Sequence, residues 1–331
     1  MGFISVMNKT LFLWLFVSFF VSSCSFKKER FPDDSSAAIN TIAVIIDDQL
    51  WNGVVGDSIR NKFASPVLGL PQEEPLFTIN QYPVKLFEGF STDTRNILIV
   101  KKDNENKFEL KKNEFSSPQN AFHISGKTSF EIIEILEKNA GDIIKKMRTI
   151  EIEHNQKTIK DSLLDTKKIQ KKFNIDLLIP SKYEYVMRRR NFIWLKSEIP
   201  SGNNSLIIYQ IPWKKISSNN AVNDVVKVRD SIGKLYIHGT AFRTQMVTEE
   251  AYSPYFSKTT LNDYKTYETK GTWQMKNDFM SGPFINYAIF DKINKRILIL
   301  EGFCYAPSKE KRDLMFELES IIKSIQIKNS K

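Results

Sequence analysis

Short β-branched runs alternate with amphipathic segments in the first half of the chain. The run TIAVIIDD at residues 41–48 predicts a buried strand. The segment after it places Leu50, Val54, Ile59 and Phe63 on one apolar helix face, and the Pro- and Gly-containing stretch SPVLGLPQEEP ends that pattern. The folded part therefore opens with a strand and a helix that pack together.

Three further strands and a long helix complete this half. The segments LFTINQY, RNILIVKK and AFHIS predict strands, whereas residues 102–120 form a polar excursion without strand periodicity. Thr128 and Glu131 have the spacing of a capping box, in which two side chains satisfy free backbone groups at a helix start. Helical patterning resumes over residues 158–173 and predicts a bridge to a second domain.

The apolar period shifts towards two after Phe173. Strands are predicted near residues 174–179 and 184–197, followed by a helix, three antiparallel strands and a final amphipathic helix. We expect these helices to lie on one face of the sheet. The pattern predicts an α+β fold of two layered, sandwich-like domains, residues 41–172 and 173–327, the second mostly antiparallel sheet covered by helices.

The N-terminus has the features of an export signal. Residues 11–21 form an apolar run that is too short to span a bilayer but typical of a secretory signal. The string VSSC that follows resembles a bacterial lipoprotein lipobox, which implies cleavage between Ser23 and Cys24 and acylation of Cys24. We expect a signal peptide at 1–23 and a lipidated, flexible tether at 24–40. The alternative is an ordinary cleavage site with a chance cysteine.

Composition favours a folded and basic protein. The chain has 331 residues, of which 41% are hydrophobic, and a net charge of +10, which argues against disorder. Residues 145–196 hold fourteen Lys and Arg against six Asp and Glu. This segment is a solvated helix face, a surface for anionic lipid or polysaccharide, or a nucleic-acid surface. Because an exported protein rarely meets nucleic acid, we predict no such partner. Cys304 lies in a strand-like run and is expected to be buried and unreactive.

Two short motifs are similar to catalytic or phosphate-binding signatures. Gly56–Ile59 spells GDSI, which is similar to the nucleophile block of GDSL-type hydrolases. That family pairs its serine with a late Asp-x-x-His, but His238 is the last histidine and has no such Asp, so Ser58 lacks an activating base. Residues 125–128, SGKT, lack the leading glycine of a phosphate-binding loop.

Carboxylates at the end of the first strand are the remaining candidates for chemistry. Asp47 and Asp48, with Asp57, could bind a cation and form the basis of an alternative function as an envelope enzyme. The other interpretation is a polar strand end that favours a helix start. The three histidines are scattered without ligand spacing, so the sequence predicts no metal site and no cofactor.

An aromatic and methionine-rich stretch, TWQMKNDFMSGPFINY, surrounds a Gly-Pro pair. Exposed side chains of this kind make adaptable contacts with glycans, lipids or peptides, whereas the same stretch could fold over the core as a hairpin. A solvent-facing apolar patch here would favour docking to a partner. The candidate ligand or partner surface consists of Asp47, Asp48, Trp51, Trp273, Phe279, Met280 and Phe284.

Three segments carry a family resemblance: DDQLWNGVVGDSIRNKFASPVLGLPQEEPLF, GTWQMKNDFMSGPFINY and LEGFCYAPSKEKRDLM. They resemble a family of Bacteroidota lipoproteins described only as a domain of unknown function, DUF4837. The resemblance implies an exported lipoprotein and brings no activity, cofactor or catalytic residue. Surface-exposed lipoproteins of that phylum usually carry acidic residues behind the lipidated cysteine, whereas this chain has SFKKER. That departure favours an outer-membrane protein that faces the periplasm.

These features predict a lipid-anchored envelope protein that binds or scaffolds a partner without catalysis. Its expected partners are the membrane, through the N-terminal lipid, and an envelope protein or polysaccharide. The residues leave the oligomeric state open. Beside the envelope enzyme, the second alternative is an accessory subunit of an outer-membrane complex.

We predict that the native mature protein begins at Cys24 and carries acyl chains there. Mass spectrometry of the N-terminal peptide from membrane-extracted protein measures both the start and the added mass. Cys24→Ala is expected to move the protein out of the membrane fraction, because the acyl chains supply the apolar anchor. The control Cys304→Ala should leave it there. An unmodified thiol at position 24 would contradict the lipid anchor.

Overall fold

Two sheets of different construction follow one another along the chain. The computed structural model describes residues 38–86 and 93–328. The predicted signal peptide and Cys24 lie outside the described residues. An N-terminal α/β part precedes a C-terminal antiparallel part, which confirms the predicted α+β class. No helix in the described residues combines the length and the apolar character that crossing a bilayer requires.

The N-terminal sheet has five strands in the order β2-β1-β3-β5-β4. Strand β1 is parallel to β2 and to β3, β3 is parallel to β5, and only β4 is antiparallel to its neighbour. Because β1 is central, every one of its residues is buried, as its continuous β-branched run predicted. The strands are β1 Thr41–Ile46, β2 Thr78–Tyr82, β3 Asn96–Lys102, β4 Lys107–Lys112 and β5 Asn120–Gly126.

Three helices accompany this sheet: α1 Asp48–Trp51, α2 Val54–Phe63 and α3 Ser129–Lys160. The single helix predicted after β1 is wrong, because the chain breaks it at Asn52 and Gly53. A Cβ at Gly56 would lie 1.8 Å from the Trp51 carbonyl oxygen, so only glycine permits this close approach. The predicted capping box is confirmed. Thr128 Oγ1 accepts from the backbone of Glu131 at 3.2 Å, and Glu131 Oε2 accepts from the backbone of Thr128 at 2.9 Å.

The polar excursion predicted for residues 102–120 is wrong in part. It contains β4, which lies at the sheet edge and is exposed or half-exposed along its whole length. Its sequence KFELKK has no apolar alternation, because an edge strand exposed to solvent buries few apolar side chains. Backbone pairing with β5 alone defines it as a strand.

The C-terminal sheet has eight strands in the order β10-β12-β13-β14-β9-β8-β7, with β11 paired to β12. All of these pairs are antiparallel. A separate two-stranded pair joins β6 to β15. The strands are β6 Ile175–Asp176, β7 Glu184–Arg189, β8 Phe192–Ile199, β9 Gly202–Pro212, β10 Gln245–Thr248, β11 Tyr255–Leu261, β12 Tyr264–Lys276, β13 Ser281–Asp291, β14 Arg296–Tyr305 and β15 Gln326–Ile327.

The helices of this half are α4 Lys167–Phe173, α5 Ala221–Tyr236 and α6 Arg312–Lys323. The sequence pattern predicted that these helices share one face of the sheet, and this prediction is wrong. Ile285 on β13 joins the apolar cluster that contains Leu318 of α6, whereas the adjacent Phe284 joins the cluster that contains Val225 of α5. The two faces of β13 are therefore covered by different helices, which is why the strand is buried on both faces.

Two boundaries at the centre of the chain also differ from prediction. The helical pattern over residues 158–173 is interrupted, because α3 ends at Lys160 and α4 begins at Lys167. The strand predicted at 174–179 is only the two-residue β6. Asn174 has a positive φ of 55°, so the chain turns sharply just before β6.

The junction between the two halves is built largely by α3 and α6. Arg148 Nη2 on α3 lies 2.5 Å from Glu319 Oε2 on α6, and Gln156 Nε2 donates to the Ser320 carbonyl at 2.9 Å. Near the start of α6, Asn40 Nδ2 donates to Asp313 Oδ1 at 2.8 Å. These bonds connect residues more than 160 positions apart in sequence.

A buried ion pair fixes α3 against the N-terminal ends of β1 and β3. Arg95 donates through Nε and Nη2 to the two carboxylate oxygens of Glu151, at 3.0 and 2.9 Å. Asn96 Nδ2 and the backbone nitrogen of Asn40 donate to the same carboxylate, at 2.9 and 3.0 Å. Arg95 and Glu151 are 1% and 0% exposed, so each charge depends on this bidentate pairing.

Glu151→Ala is expected to lower the free energy of unfolding by about 3–5 kcal/mol, because it removes the carboxylate that a buried guanidinium contacts. Glu153→Ala is the matched control, since Glu153 lies on the same helix and is exposed. Chemical denaturation followed by circular dichroism measures both changes. Equal effects of the two substitutions would contradict the assigned role of the buried pair.

Candidate functional site

The three aspartates that suggested a metal-dependent enzyme lie on the surface. Asp47 and Asp48 are exposed beside β1, and Gln81 Nε2 donates to Asp48 Oδ1 at 3.3 Å. Asp57 pairs with Arg60 at 2.7 Å on α2. Among the described residues, no group of three or more His, Cys, Asp or Glu side chains could hold a metal ion. The structure does not join these carboxylates in a common ligand set.

The serine of the GDSI block lies inside α2 and not at the end of a strand. Its hydroxyl donates to Glu137 Oε1 on α3 at 3.1 Å. Hydrogen bonding to Lys62 lowers the pKa of Glu137, which makes this carboxylate a weaker base for activating Ser58. The contact thus ties α2 to α3.

The residues of the predicted aromatic surface do not form one surface, because some are buried and others are exposed. Trp273 and Phe284 are 2% and 1% exposed, and Trp273 Nε1 donates to the Cys304 carbonyl at 3.2 Å. Both rings belong to the core and present no surface to a partner. Phe279 is fully exposed and Met280 is half-buried. Trp51 is distant from both in sequence, and its ring centroid lies 4.5 Å from the Arg60 guanidinium carbon.

Cys304 is buried on β14, as predicted. Burial raises the pKa of its thiol to about 12. The reactive thiolate is therefore scarce at neutral pH, and the side chain acts as a small apolar group.

A cleft of about 670 Å³ lies between the two halves of the chain, and we call it the central cleft. One wall is the segment 65–76 of the N-terminal half, and the other is formed by β12, β13 and α6. Its lining is largely apolar and includes Leu68, Leu70, Leu76, Ile285, Met315 and Phe316. Five charged side chains also line it: Glu73, Arg148, Lys270, Arg312 and Glu319. Sites between domains with apolar walls and few polar groups are typical of ligand binding.

The segment 65–76 forms a short closed loop. The backbone nitrogen of Val67 donates to the Glu74 carbonyl at 2.9 Å, and that of Leu76 donates to the Ser65 carbonyl at 2.8 Å. At its tip, Gly69 has a φ of +85°, and a Cβ there would lie 2.9 Å from the Lys270 Cβ. Only glycine meets both the left-handed backbone and this close contact with β12.

Glu74 attaches this loop to α6. Its carboxylate accepts from the backbone nitrogens of Lys311, at 2.8 and 2.9 Å, and of Arg312, at 2.7 Å. These nitrogens lie at the helix N-terminus, where the helix dipole favours a negative charge. Arg312 Nη1 in turn donates to the Pro75 carbonyl at 3.1 Å. A side chain of the N-terminal half therefore caps a helix of the C-terminal half.

The charged groups of the central cleft are held in place by partners. Besides Arg148, Lys323 Nζ contacts Glu319 at 2.6 Å, and Lys270 Nζ lies 2.9 Å from Glu268. Burial raises the pKa of Glu319, but the charges of Arg148, Lys270 and Lys323 outweigh that effect and hold the pKa below its usual range. Glu319 is therefore ionised, and the surrounding cations exceed it in charge.

Sequence reasoning missed the central cleft. The stretch SPVLGLPQEEP by itself predicts only the end of a helix. Nothing in the local sequence distinguishes Glu74 from its exposed neighbour Glu73. The informative signal is two acidic residues between prolines, a rigid position for a cap. This signal can be interpreted only once the free backbone nitrogens of α6, more than 230 residues later, are known to lie beside Glu74.

A second group of buried polar residues lies under α5. Arg229 Nε is 2.9 Å from Glu301 Oε1, its Nη1 donates to Thr248 Oγ1 at 3.0 Å, and its guanidinium lies 3.9 Å from the Phe284 ring centroid. Burial raises the pKa of Glu301, and Arg229 and Asn286 offset part of that rise. Because Arg229 and Glu301 are closed to solvent, we assign them to the attachment of α5 to the sheet.

Two family models match the chain. Residues 162–324 match Domain of unknown function (DUF4837), and residues 35–160 match Domain of unknown function (DUF8532). Two of the three segments that carry the resemblance, at residues 271–287 and 300–315, lie within the DUF4837 match, whereas the first, at residues 47–77, lies within the DUF8532 match. The two matches meet at the end of α3. Neither description names an activity.

Comparisons with individual proteins add the following. No curated protein matches the chain. A structure from Bacteroides thetaiotaomicron VPI-5482 is 11% identical, with a TM-score of 0.28, over 47% of this chain and 46% of that chain, less than half of its length. The Saccharomyces cerevisiae Ran-binding protein Mog1p is 8% identical, with a TM-score of 0.30, over 47% and 90%. The cyanobacterial PsbP of Synechocystis sp. PCC 6803 is 9% identical, with a TM-score of 0.32, over 46% and 86%.

Glu74→Ala is expected to lower the free energy of unfolding by about 1.5–3 kcal/mol, because it leaves the first nitrogens of α6 without their charged acceptor. The adjacent exposed Glu73→Ala serves as the control and should change stability little. Thermal and denaturant unfolding measure both variants. Similar values for the two glutamates would show that the cap does not hold the loop to α6.

Proposed function

We propose that this protein is a lipid-anchored binding protein of the cell envelope, and that the central cleft holds its ligand. The anchor and the periplasm-facing location rest on the leader, the lipobox-like VSSC and Cys24. The observation that carries the binding function is the central cleft itself, a largely apolar cavity between the two halves of the chain with cations along its lining.

The walls favour a ligand with an apolar body. Leu70, Met315 and Phe316 come from both halves of the chain and line the same space. Aliphatic and thioether side chains make no directional demand on a ligand, so they suit acyl or other flexible apolar groups. A volume of about 670 Å³ is within the range of small-molecule sites.

The charges favour an anionic head group on that ligand. Arg148, Lys270 and Arg312 line the central cleft against two carboxylates, those of Glu73 and Glu319. Glu319 is already ionised and paired, so it neutralises only part of the positive charge. Lys270 is the cation best placed to respond to a ligand, because its side chain is one-quarter exposed and it belongs to β12, which has neighbours on both sides in the sheet. The ligand class is therefore an amphiphile with a carboxylate or phosphate group.

Fluorescence titration of the full-length protein tests this function with 11-(dansylamino)undecanoic acid and its methyl ester as probes. We expect saturable binding of the acid and weaker binding of the ester, which lacks the charge. Lys270→Gln should weaken binding of the acid about tenfold, equivalent to about 1.4 kcal/mol, and leave the ester unchanged. Lys258→Gln, an exposed lysine on β11 outside the central cleft, is the matched control.

A steric variant separates the site from nonspecific adsorption of the probe. Leu68 is 55% exposed at the edge of the central cleft, so Leu68→Trp should fold normally and fill the opening. Both probes should then bind about tenfold or more weakly. Leu163→Trp, at a position 47% exposed outside the central cleft, controls for the added indole. Absence of saturable binding, or equal effects of Leu68→Trp and Leu163→Trp, would reject the central cleft as the site.

A further inference from the structure

The two most exposed large apolar side chains among the described residues are phenylalanines at loop tips. Phe279 has a relative exposure of 105% and Phe242 one of 84%. Phe279 lies in the turn between β12 and β13, and Phe242 lies in the loop between α5 and β10. We call these two turns, residues 276–280 and 237–244, the aromatic tips.

The aromatic tips are held next to each other. Asn277 Nδ2 donates to the Arg243 carbonyl at 3.1 Å, which connects the two turns directly. His238 Nδ1 lies 2.7 Å from the Thr244 carbonyl, and the backbone nitrogen of Met275 donates to the Met280 carbonyl at 2.7 Å. Each turn is therefore closed by its own hydrogen bonds, and the two rings project from a defined surface.

Cations flank both rings, and among the described residues the surface around Phe242 is lined by Lys234 and Arg243 with no acidic side chain. Lys234, Arg243 and Lys276 lie on or beside the aromatic tips, and within the described part of the chain none of them forms an ion pair. The carboxylates nearby are partly engaged. Asp230 Oδ1 accepts from the backbone nitrogen of Thr248 at 2.7 Å, and Asp278 Oδ1 accepts from that of Phe279 at 2.7 Å. Glu250 is the other acidic residue of this region.

The aromatic tips lie at the same end of the C-terminal sheet as the start of the described chain. Strand β13 begins beside the end of β14, and α6 runs back along the sheet to Ile325, whose carbonyl accepts from Asn262 at the opposite end. Asn40 contacts Asp313 in the first turn of α6. Thirteen residues separate Cys24 from Ala38, a span of at most about 50 Å.

We propose that the aromatic tips dock on an anionic bilayer surface. Phe242 and Phe279 would enter the interfacial layer, while Lys234, Arg243 and Lys276 contact lipid head groups. Projecting aromatic rings flanked by cations match the apolar boundary and negative surface potential of such a membrane. This contact is separate from the central cleft, and it orients the C-terminal sheet on the membrane to which the tether leads.

Site-specific fluorescence on the full-length protein in vesicles tests the docking. The environment-sensitive label NBD is attached to Phe279→Cys, to Phe242→Cys and to the control Phe130→Cys. Phe130 is 76% exposed but lies in the first turn of α3, after the C-terminal end of β5 and so away from Asn40. Cys304 is buried and the thiol of Cys24 is blocked in the acylated protein, so the label reacts at the introduced cysteine.

In vesicles of phosphatidylcholine with about one-quarter phosphatidylglycerol, NBD emission at 242 and 279 is expected to rise several-fold. A nitroxide-bearing lipid should quench it, whereas position 130 should keep its aqueous emission. Removing phosphatidylglycerol should reduce the rise, because the cations lose their partner. The three label positions are compared in the same membrane-bound protein, so a difference in NBD emission between them does not depend on how the protein is attached to the vesicle.

Two outcomes would overturn the proposal. Equal emission and equal lipid quenching at all three positions would show that the aromatic tips have no special contact with the bilayer. Protection of 242 and 279 from aqueous iodide in native membranes, without quenching by the nitroxide lipid, would show that a protein partner covers them instead.

Discussion

The position of α6 depends on charges that the other half of the chain supplies. Its first nitrogens bond to Glu74, its carboxylate at Glu319 pairs with Arg148, and its Ser320 carbonyl accepts from Gln156. Each of these groups is largely buried, so removing one partner leaves a desolvated polar group with no compensating bond. The helix covers one face of the C-terminal sheet. Its attachment therefore fixes the relation between the two sheets.

The central cleft is a consequence of that attachment. Glu74 draws the segment 65–76 against α6, and Gly69 brings the tip of the same segment against Lys270 on β12. The loop thus contacts the C-terminal half at its tip and near its C-terminal end, and the space between these two contacts stays open. The cavity is lined by residues from both matched segments, which meet at the end of α3. The proposed binding site therefore needs side chains from both halves of the chain.

The proposed functions use different parts of one architecture. The central cleft would accept the apolar body and anionic head of an amphiphile, and the aromatic tips would contact the membrane from which such a molecule comes. Both regions combine apolar side chains with cations, the pairing that suits lipid-like ligands and lipid surfaces. The predicted acyl anchor at Cys24 would keep the protein at that membrane.

Elements that depend on neighbouring residues could be predicted from the residue pattern. The buried run of β1, the capping box of Thr128 and Glu131, and the amphipathic pattern of α6 all predicted elements that the structure contains. The residue pattern did not predict the exposed edge strand β4, the burial of Trp273 and Phe284, or the cap formed by Glu74. These depend on partners far away in sequence, and residue types alone do not encode which surface a side chain meets. They follow from the folded arrangement of the chain, because burial and pairing are properties of the packed molecule.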